Sequence, residues 1–374
     1  MIGWLALPFR SRLAQEWLVI QTISIITTAG LYIQFRSIWG VTPAIHWVIG
    51  AFITLIYPLA ILRSNLRHHR PSEEDKRYPS LGWGIWISFL RGLLLSFLGG
   101  FIVAGTPSGW LIWLPPGLIF MVIFLDFLER WIDRTVAKPS ILGNRIYIHM
   151  GGLALLAGSI VAVRFAEIPI WFSLTGILRY ACLIIQWLKK NSKWDCEKPN
   201  PGLIRQVQET VLLGWIGFAL MPNFSPPATG VIGLILLLPY LLGTFSDFRS
   251  SLGKNELPFL PKPPHWFTAW FPLLPRLGLV ISMAVIYFLG LLKGMDAGWL
   301  ILAGSIPLWA LIGIAGRFTG ALTTILMGIS VSSSGSWLNM TALICGGLIM
   351  ILGTGLYSLW KPEYYILGIK TTPG

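Results

Sequence analysis

The sequence predicts an all-α, polytopic integral membrane protein with about 12 transmembrane helices, and three observations carry the prediction. Of its 374 residues, 55% are hydrophobic and only 11% charged, where a soluble domain carries about a quarter charged residues. So little polar surface cannot cover so much apolar surface in water. The mean hydropathy is +0.70, and the apolar residues fall in long blocks of about 20, the length that spans a bilayer, rather than in short alternating runs. Nineteen tryptophans fit the same picture, because an indole favours the headgroup level.

Reading the apolar blocks between polar or Pro/Gly breaks places spans near 17–35, 43–62, 81–104, 109–132, 146–164, 168–188, 206–222, 227–246, 267–292, 297–315, 318–333 and 340–360. The eleventh is short and rich in Ser and Gly. The 28 lysines and arginines test this count. With both termini cytoplasmic, 22 fall in inner segments, three (Arg36, Arg164, Lys293) in outer ones, and three (Arg91, Arg179, Arg276) within spans. Because Lys and Arg collect in short cytoplasmic loops, the expectation is a multi-pass protein of the cell membrane with both ends inside.

The net charge of +13 is then charge that faces anionic lipid. Membrane lipids are the expected partners, and nucleic acid is not. Cys182, Cys196 and Cys345 are odd in number and lack metal spacing, so neither a disulfide framework nor a zinc site is expected. The opening MIGWLALPFRSR is too short an apolar run for a cleavable signal peptide. The longest connectors, 64–80 and 250–266, are polar or Pro-rich and too short for a soluble domain. Any chemistry therefore belongs at the membrane.

Ionisable groups inside spans are costly and usually have a function. The fourth span closes with LDFLERWIDR, in which Asp126, Glu129 and Asp133 share one helical face. Carboxylates stacked in this way repel one another unless a cation lies between them, and hard divalent ions such as Mg²⁺ or Ca²⁺ prefer oxygen ligands. The plainer alternative is pairing with Arg130 and Arg134 at a solvated helix end. That alternative is favoured for Asp133, whereas a buried partner or metal is favoured for the deeper Asp126. Arg91 in ISFLRGLLL and Arg179 in GILRYACLI each present a planar fork suited to phosphate. Either also suits a counter-ion to Asp126 or Glu129. Glu209 reads as interfacial, and His149 as structural. Asn223-Phe-Ser225 and Asn339-Met-Thr341 match a glycosylation acceptor in expected outer loops.

The stretch 88–143 resembles the CDP-alcohol phosphatidyltransferases, whose pattern is Asp-x2-Asp-Gly-x2-Ala-Arg-x8-Gly-x3-Asp-x3-Asp with a Thr-x2-Arg one helix earlier. Ser88 and Arg91 match the earlier element. Asp126 stands at the first Asp, Glu129 at the second, Arg134 at the Arg and Gly143 at the Gly. Arg130 and Asp133 replace the pattern's Gly and Ala, while Tyr147 and Gly151 stand where the last two Asp belong. The runs RYACLIIQWLKK and LLLPYLLGTFSDF are similar to later helices of long members of that family.

The resemblance implies a six-helix core over 81–250, flanked by a two-span segment, 1–80, and a four-span segment, 265–374. It implies an enzyme of phospholipid biosynthesis that moves a phospho-alcohol from a CDP-linked donor to an alcohol acceptor and releases CMP. Mg²⁺ or Mn²⁺ would sit on Asp126, Glu129 and Asp133, with Arg91, Arg134, Gly143 and Arg179 near the nucleotide phosphates, in a chain that could pair as a homodimer. Metals of this kind neutralise charge on the leaving phosphate. With the family's general base replaced by Gly151, no catalytic residue is assigned. Two other readings stand beside this one: a catalytically silent member that binds lipid or nucleotide, and a small-molecule transporter. Against the transporter, Pro115-Pro116 and Pro272/Pro275 break two helices at places that do not correspond in the two halves.

Overall fold

The computed structural model describes residues 12–66, 80–135, 141–190, 203–251, 270–289, 297–313 and 316–352. They form twelve α-helices, and no strand occurs among the described residues. In chain order these are α1 (Arg12–Trp39), α2 (Val41–Asn65), α3 (Trp83–Ala104), α4 (Leu114–Thr135), α5 (Ile141–Arg164) and α6 (Leu174–Lys190). There follow α7 (Leu203–Ala219), α8 (Ala228–Ser251), α9 (Leu273–Phe288), α10 (Ala297–Ile312), α11 (Gly316–Ser334) and α12 (Trp337–Leu352). Six of the described helices are long and apolar enough to cross a membrane: α1, α2, α3, α4 with its leading turn, α5 and α8. Two shorter apolar helices are α9 and α12. The protein is an all-α, polytopic membrane protein, as its composition requires.

Two local expectations change. Pro115 and Pro116 do not interrupt a helix. They lie in the first turn of α4 behind a 3₁₀ turn, Gly109–Trp113, where a missing N–H costs nothing. Pro272 likewise precedes α9, and Pro275 lies in its first turn. Asn339 is not in an outer loop. It lies inside α12 and is buried, which removes it as an acceptor site, whereas Asn223 is exposed in the segment before α8.

The described residues divide into two compact units. One runs to Ala181 and includes Glu209–Met221, and the other takes Cys182–Gln208 and the chain from Pro222 onward. These boundaries differ from the three segments read from the sequence, because α1 and α2 pack on α3 within the first unit.

In the first unit α3 is the central helix, packed against α2, α4 and α5. In lipid there is no apolar driving force between helices, so they associate through small residues that let backbones approach closely. The α2–α3 seam is built in this way. A Cβ on Gly99 would overlap Thr54, one on Gly100 would lie 2.8 Å from the Trp47 carbonyl oxygen, and one on Gly50 would lie 2.9 Å from the Gly99 carbonyl oxygen. Trp47, fully buried, donates its indole N–H to the Phe97 carbonyl at 3.0 Å. Across neighbouring helices the C-terminal half of one meets the N-terminal half of the next. Glu129 of α4 meets Ser88 of α3, and Arg145 of α5 donates to Asn65 of α2 at 2.7 Å. This up-down alternation brings the ionisable residues of several helices to one half of the unit. α5 closes with Ala166 in the left-handed region (φ 60°), and the Glu167 N–H bonds back to the Ala162 carbonyl at 3.0 Å.

In the second unit α11 and α12 share a similar seam, where a Cβ on Gly320 would lie 2.6 Å from the Met350 nitrogen. α8 packs on both α11 and α12, and α9 packs on α10 and α12.

Candidate functional site

Four ionisable side chains of the first unit, Arg91, Asp126, Glu129 and Arg130, form one largely buried network. On α3, Arg91 is only 2% exposed. Its Nη1 donates to Glu129 Oε2 at 2.5 Å, and its Nη2 lies 2.8 Å from Asp126 Oδ1. Asp126 and Glu129 are three residues apart on α4, so one guanidinium fork reaches both. Ser88, one turn earlier on α3, donates its hydroxyl to Glu129 Oε1. Arg130 pairs with Asp126 Oδ2, and the same Nη2 lies 3.4 Å from the Thr210 hydroxyl of α7. Tyr147 of α5 lies over the Arg91 guanidinium, 5.4 Å from ring centroid to Cζ.

A second pair adjoins the first. Arg179 of α6 lies 3.3 Å from Glu209 of α7, with both side chains largely buried. The α5 backbone makes room for them. Gly151 faces Glu209 Oε2 at 3.6 Å from where a Cβ would be, and Gly152 faces the Arg179 stem at 3.3 Å. Tyr147 lies within electrostatic reach of both pairs. Beside them, the Tyr57 hydroxyl on α2 is 2.8 Å from His149 Nδ1 on α5, and the Tyr57 ring makes an edge contact with Tyr180.

The sequence had left the counter-ion of Asp126 and Glu129 open between Arg91 and Arg179. The structure brings Arg91 to both carboxylates and Arg179 to Glu209 instead. Glu209 therefore pairs with Arg179, and His149 has a phenol partner. Gly143 occupies the first turn of α5. The side chains of Asp133 and Arg134 lie outside the described residues. Tyr57, Tyr180 and Thr210 escaped the sequence reading because a tyrosine or threonine in an apolar span carries no charge to mark it.

The donor set can be tested against a divalent ion. Such an ion takes six or more oxygens, Mg²⁺ at about 2.0–2.1 Å, and needs lone pairs aimed at a common centre. Each of the four side-chain oxygens of Asp126 and Glu129 already faces a donor, from Arg91, Arg130 or Ser88. The Arg91 guanidinium occupies the space between the two carboxylates. Among the described residues, no group of three His, Cys, Asp or Glu is placed to hold a metal. As arranged, Asp126 and Glu129 by themselves do not fit a divalent ion.

The network can instead offer arginine N–H groups. Arg91 Nε and Arg179 Nε are buried without a hydrogen-bond partner. Arg91 spends its other nitrogens on two short contacts, whereas the contact from Arg179 to Glu209 is longer. Arg179 is therefore the less tightly paired of the two arginines.

A curated protein similar to this chain is the protoheme IX farnesyltransferase of Synechococcus sp. (strain JA-2-3B'a(2-13)), 24% identical over 229 residues. The match covers 58% of this chain and 63% of the relative, so the chain spans less than two thirds of that protein's length. No family model and no solved structure matches.

Proposed function

We propose that the chain is a membrane-embedded group transferase that takes a lipid-soluble substrate and a donor activated by phosphate or diphosphate, with Arg179 as the principal phosphate contact. The observation that carries this reading is the buried Arg179, whose Nε has no partner and whose contact with Glu209 is long for a charge-assisted bond. The farnesyltransferase similarity supports the transferase class. A farnesyl group and a CDP-linked alcohol share one chemical need: the oxygen left behind carries negative charge that fixed N–H donors in an apolar setting stabilise strongly.

In this reading Arg179 orients the donor's phosphates, and the surrounding apolar helices exclude water. Tyr57 and His149 form a hydrogen-bonded pair able to accept or relay a proton from an acceptor hydroxyl. The finer version is transfer of a phospho-alcohol from a CDP-linked donor to an alcohol acceptor with CMP release, in phospholipid biosynthesis, with Arg91, Arg134 and Gly143 beside the nucleotide. A homodimer in the cell membrane with both termini cytoplasmic belongs to the same version. A Mg²⁺ or Mn²⁺ ion on Asp126, Glu129 and Asp133 would require Arg91 to withdraw. A second reading, a catalytically silent protein that binds lipid or nucleotide, is favoured by the paired state of Asp126 and Glu129 and by Gly151 in place of a carboxylate.

The test is product release by the full-length protein in nanodiscs, with farnesyl diphosphate or a CDP-linked alcohol as donor and pyrophosphate or CMP as readout. One product should appear, and Arg179→Met should reduce its release at least tenfold. Donor binding that depends on Arg179 without any release would support the second reading. If neither donor binds, the proposal fails.

A further inference from the structure

We infer that Arg91 is the resident cation of the Asp126–Glu129 pair, so that this acidic helix face is closed by an arginine and takes up no divalent metal. This goes beyond the transferase reading, because it holds whether or not the protein transfers anything.

Three features of the site support it. First, the geometry is that of a filled site. The two carboxylates stand three residues apart on α4, and a single guanidinium lies between them, 2.5 Å from one and 2.8 Å from the other. Second, the outer oxygens are also used, with Ser88 on Glu129 and Arg130 on Asp126. Each of the four carboxylate oxygens therefore already has a donor. Third, the charge already balances. Asp126 and Glu129 meet Arg91 and Arg130, so a divalent ion would add two positive charges to a neutral, buried cluster. Either the ion would sit beside two guanidiniums, or Arg91 would have to leave for apolar surroundings.

Neither alternative is favourable where the effective dielectric is low. The Tyr147 ring covers the guanidinium from α5, a position in which a cation gains from the ring's negative face. The residues around Arg91 in α3, including Ile85, Phe89, Leu93 and Leu95, are buried, so the side chain leaves its carboxylates only into apolar surroundings.

The experiment is Mn²⁺ binding followed by electron paramagnetic resonance, together with thermal unfolding, on the full-length protein in nanodiscs. Wild type should leave the Mn²⁺ signal that of the free ion, and its unfolding temperature should be the same in EDTA and in Mn²⁺. Arg91→Met leaves two carboxylates without their cation. It should acquire Mn²⁺ binding that EDTA reverses, with an unfolding temperature that now rises with Mn²⁺. Adding Glu129→Gln to that variant should abolish the acquired binding.

If Arg91→Met does not fold, Arg91→Lys, which keeps the charge, should fold and remain unresponsive to Mn²⁺. Wild-type Mn²⁺ binding that Asp126→Asn abolishes would overturn the inference, as would a wild type destabilised by EDTA. Donor binding measured in EDTA separates this result from the fate of the transferase. A wild type that binds Mn²⁺ at Asp126 and also transfers would refute the resident arginine and keep the function. One that ignores Mn²⁺ and binds no donor would do the reverse.

Discussion

Arg91 in the first unit and Arg276 in the second both arise from apolar helices, and both are almost fully buried, but their surroundings answer the charge in different ways. Arg276 of α9 donates to two backbone carbonyls, through Nε to Ala310 at 2.8 Å and through Nη2 to Leu311 at 2.6 Å. Those carbonyls belong to the last turn of α10, where the helix leaves its C=O groups unpaired and carries partial negative charge. Arg91 instead meets two carboxylates of another helix, a hydroxyl-bound one among them. The first arrangement finishes a helix, whereas the second locks two helices together and gathers further polar groups around it.

Mutations should widen or close this contrast. The largest effect is expected for Arg91→Met, which leaves Asp126 and Glu129 sharing one buried face without their main cation. Breaking a buried pair in this way costs about 3–5 kcal/mol, to be read as a lower unfolding temperature in nanodiscs. Arg276→Met should cost less, about 1–3 kcal/mol, because it leaves neutral carbonyls unpaired rather than charges. It should leave donor binding unchanged. Comparable losses in the two variants would mean that the carboxylates gain little from Arg91.

Smaller again is Ala166→Gly. Ala166 holds a left-handed conformation at the end of α5, where a Cβ is unfavourable, so glycine should stabilise the protein by about 1 kcal/mol. A destabilised variant would show that the Ala166 methyl group contributes more than its backbone costs.

The smallest effect concerns pH. Glu167, in the connector between α5 and the turn before α6, is half-buried, and burial raises its carboxyl from 4.5 to about 7. The folded state holds this proton more tightly than the unfolded one. The contribution is therefore complete below about 4.5 and is lost as pH rises to about 7. Solvent near the partly exposed group reduces the size of the effect. The unfolding temperature should fall slightly across that window, and Glu167→Gln should flatten the decline.

Much of the architecture was legible because membrane insertion leaves few choices. A block such as 318–333, short and rich in Ser and Gly, still reads as helical, and it forms the helix Gly316–Ser334, which is not one of the six long enough and apolar enough to cross a membrane. The shared face of Asp126 and Glu129 was legible from spacing alone, since a helix places residues three apart side by side. Which arginine would meet them was not, because Arg91 and Arg179 look alike in sequence and the choice is made by the packing of α3 on α4 and the approach of α7 to α6. The partner of Glu209 was hidden for a similar reason. Its position near a helix start suggests the surface, and the sequence does not show that Gly151 leaves it room or that Arg179 reaches it. Pro115-Pro116 shows the opposite failure, in which a strong local signal was read as an interruption when it marks a beginning.

The single fork that joins α3 to α4 also restricts how this half of the molecule can move. Because both carboxylates depend on the same side chain, a slide of one helix past the other by one turn, about 5.4 Å, would unseat both contacts together and could not be made in two smaller steps. α3 and α4 therefore behave as one piece. The contact of Arg179 on α6 with Glu209 on α7 is longer, at 3.3 Å, and constrains its two helices less.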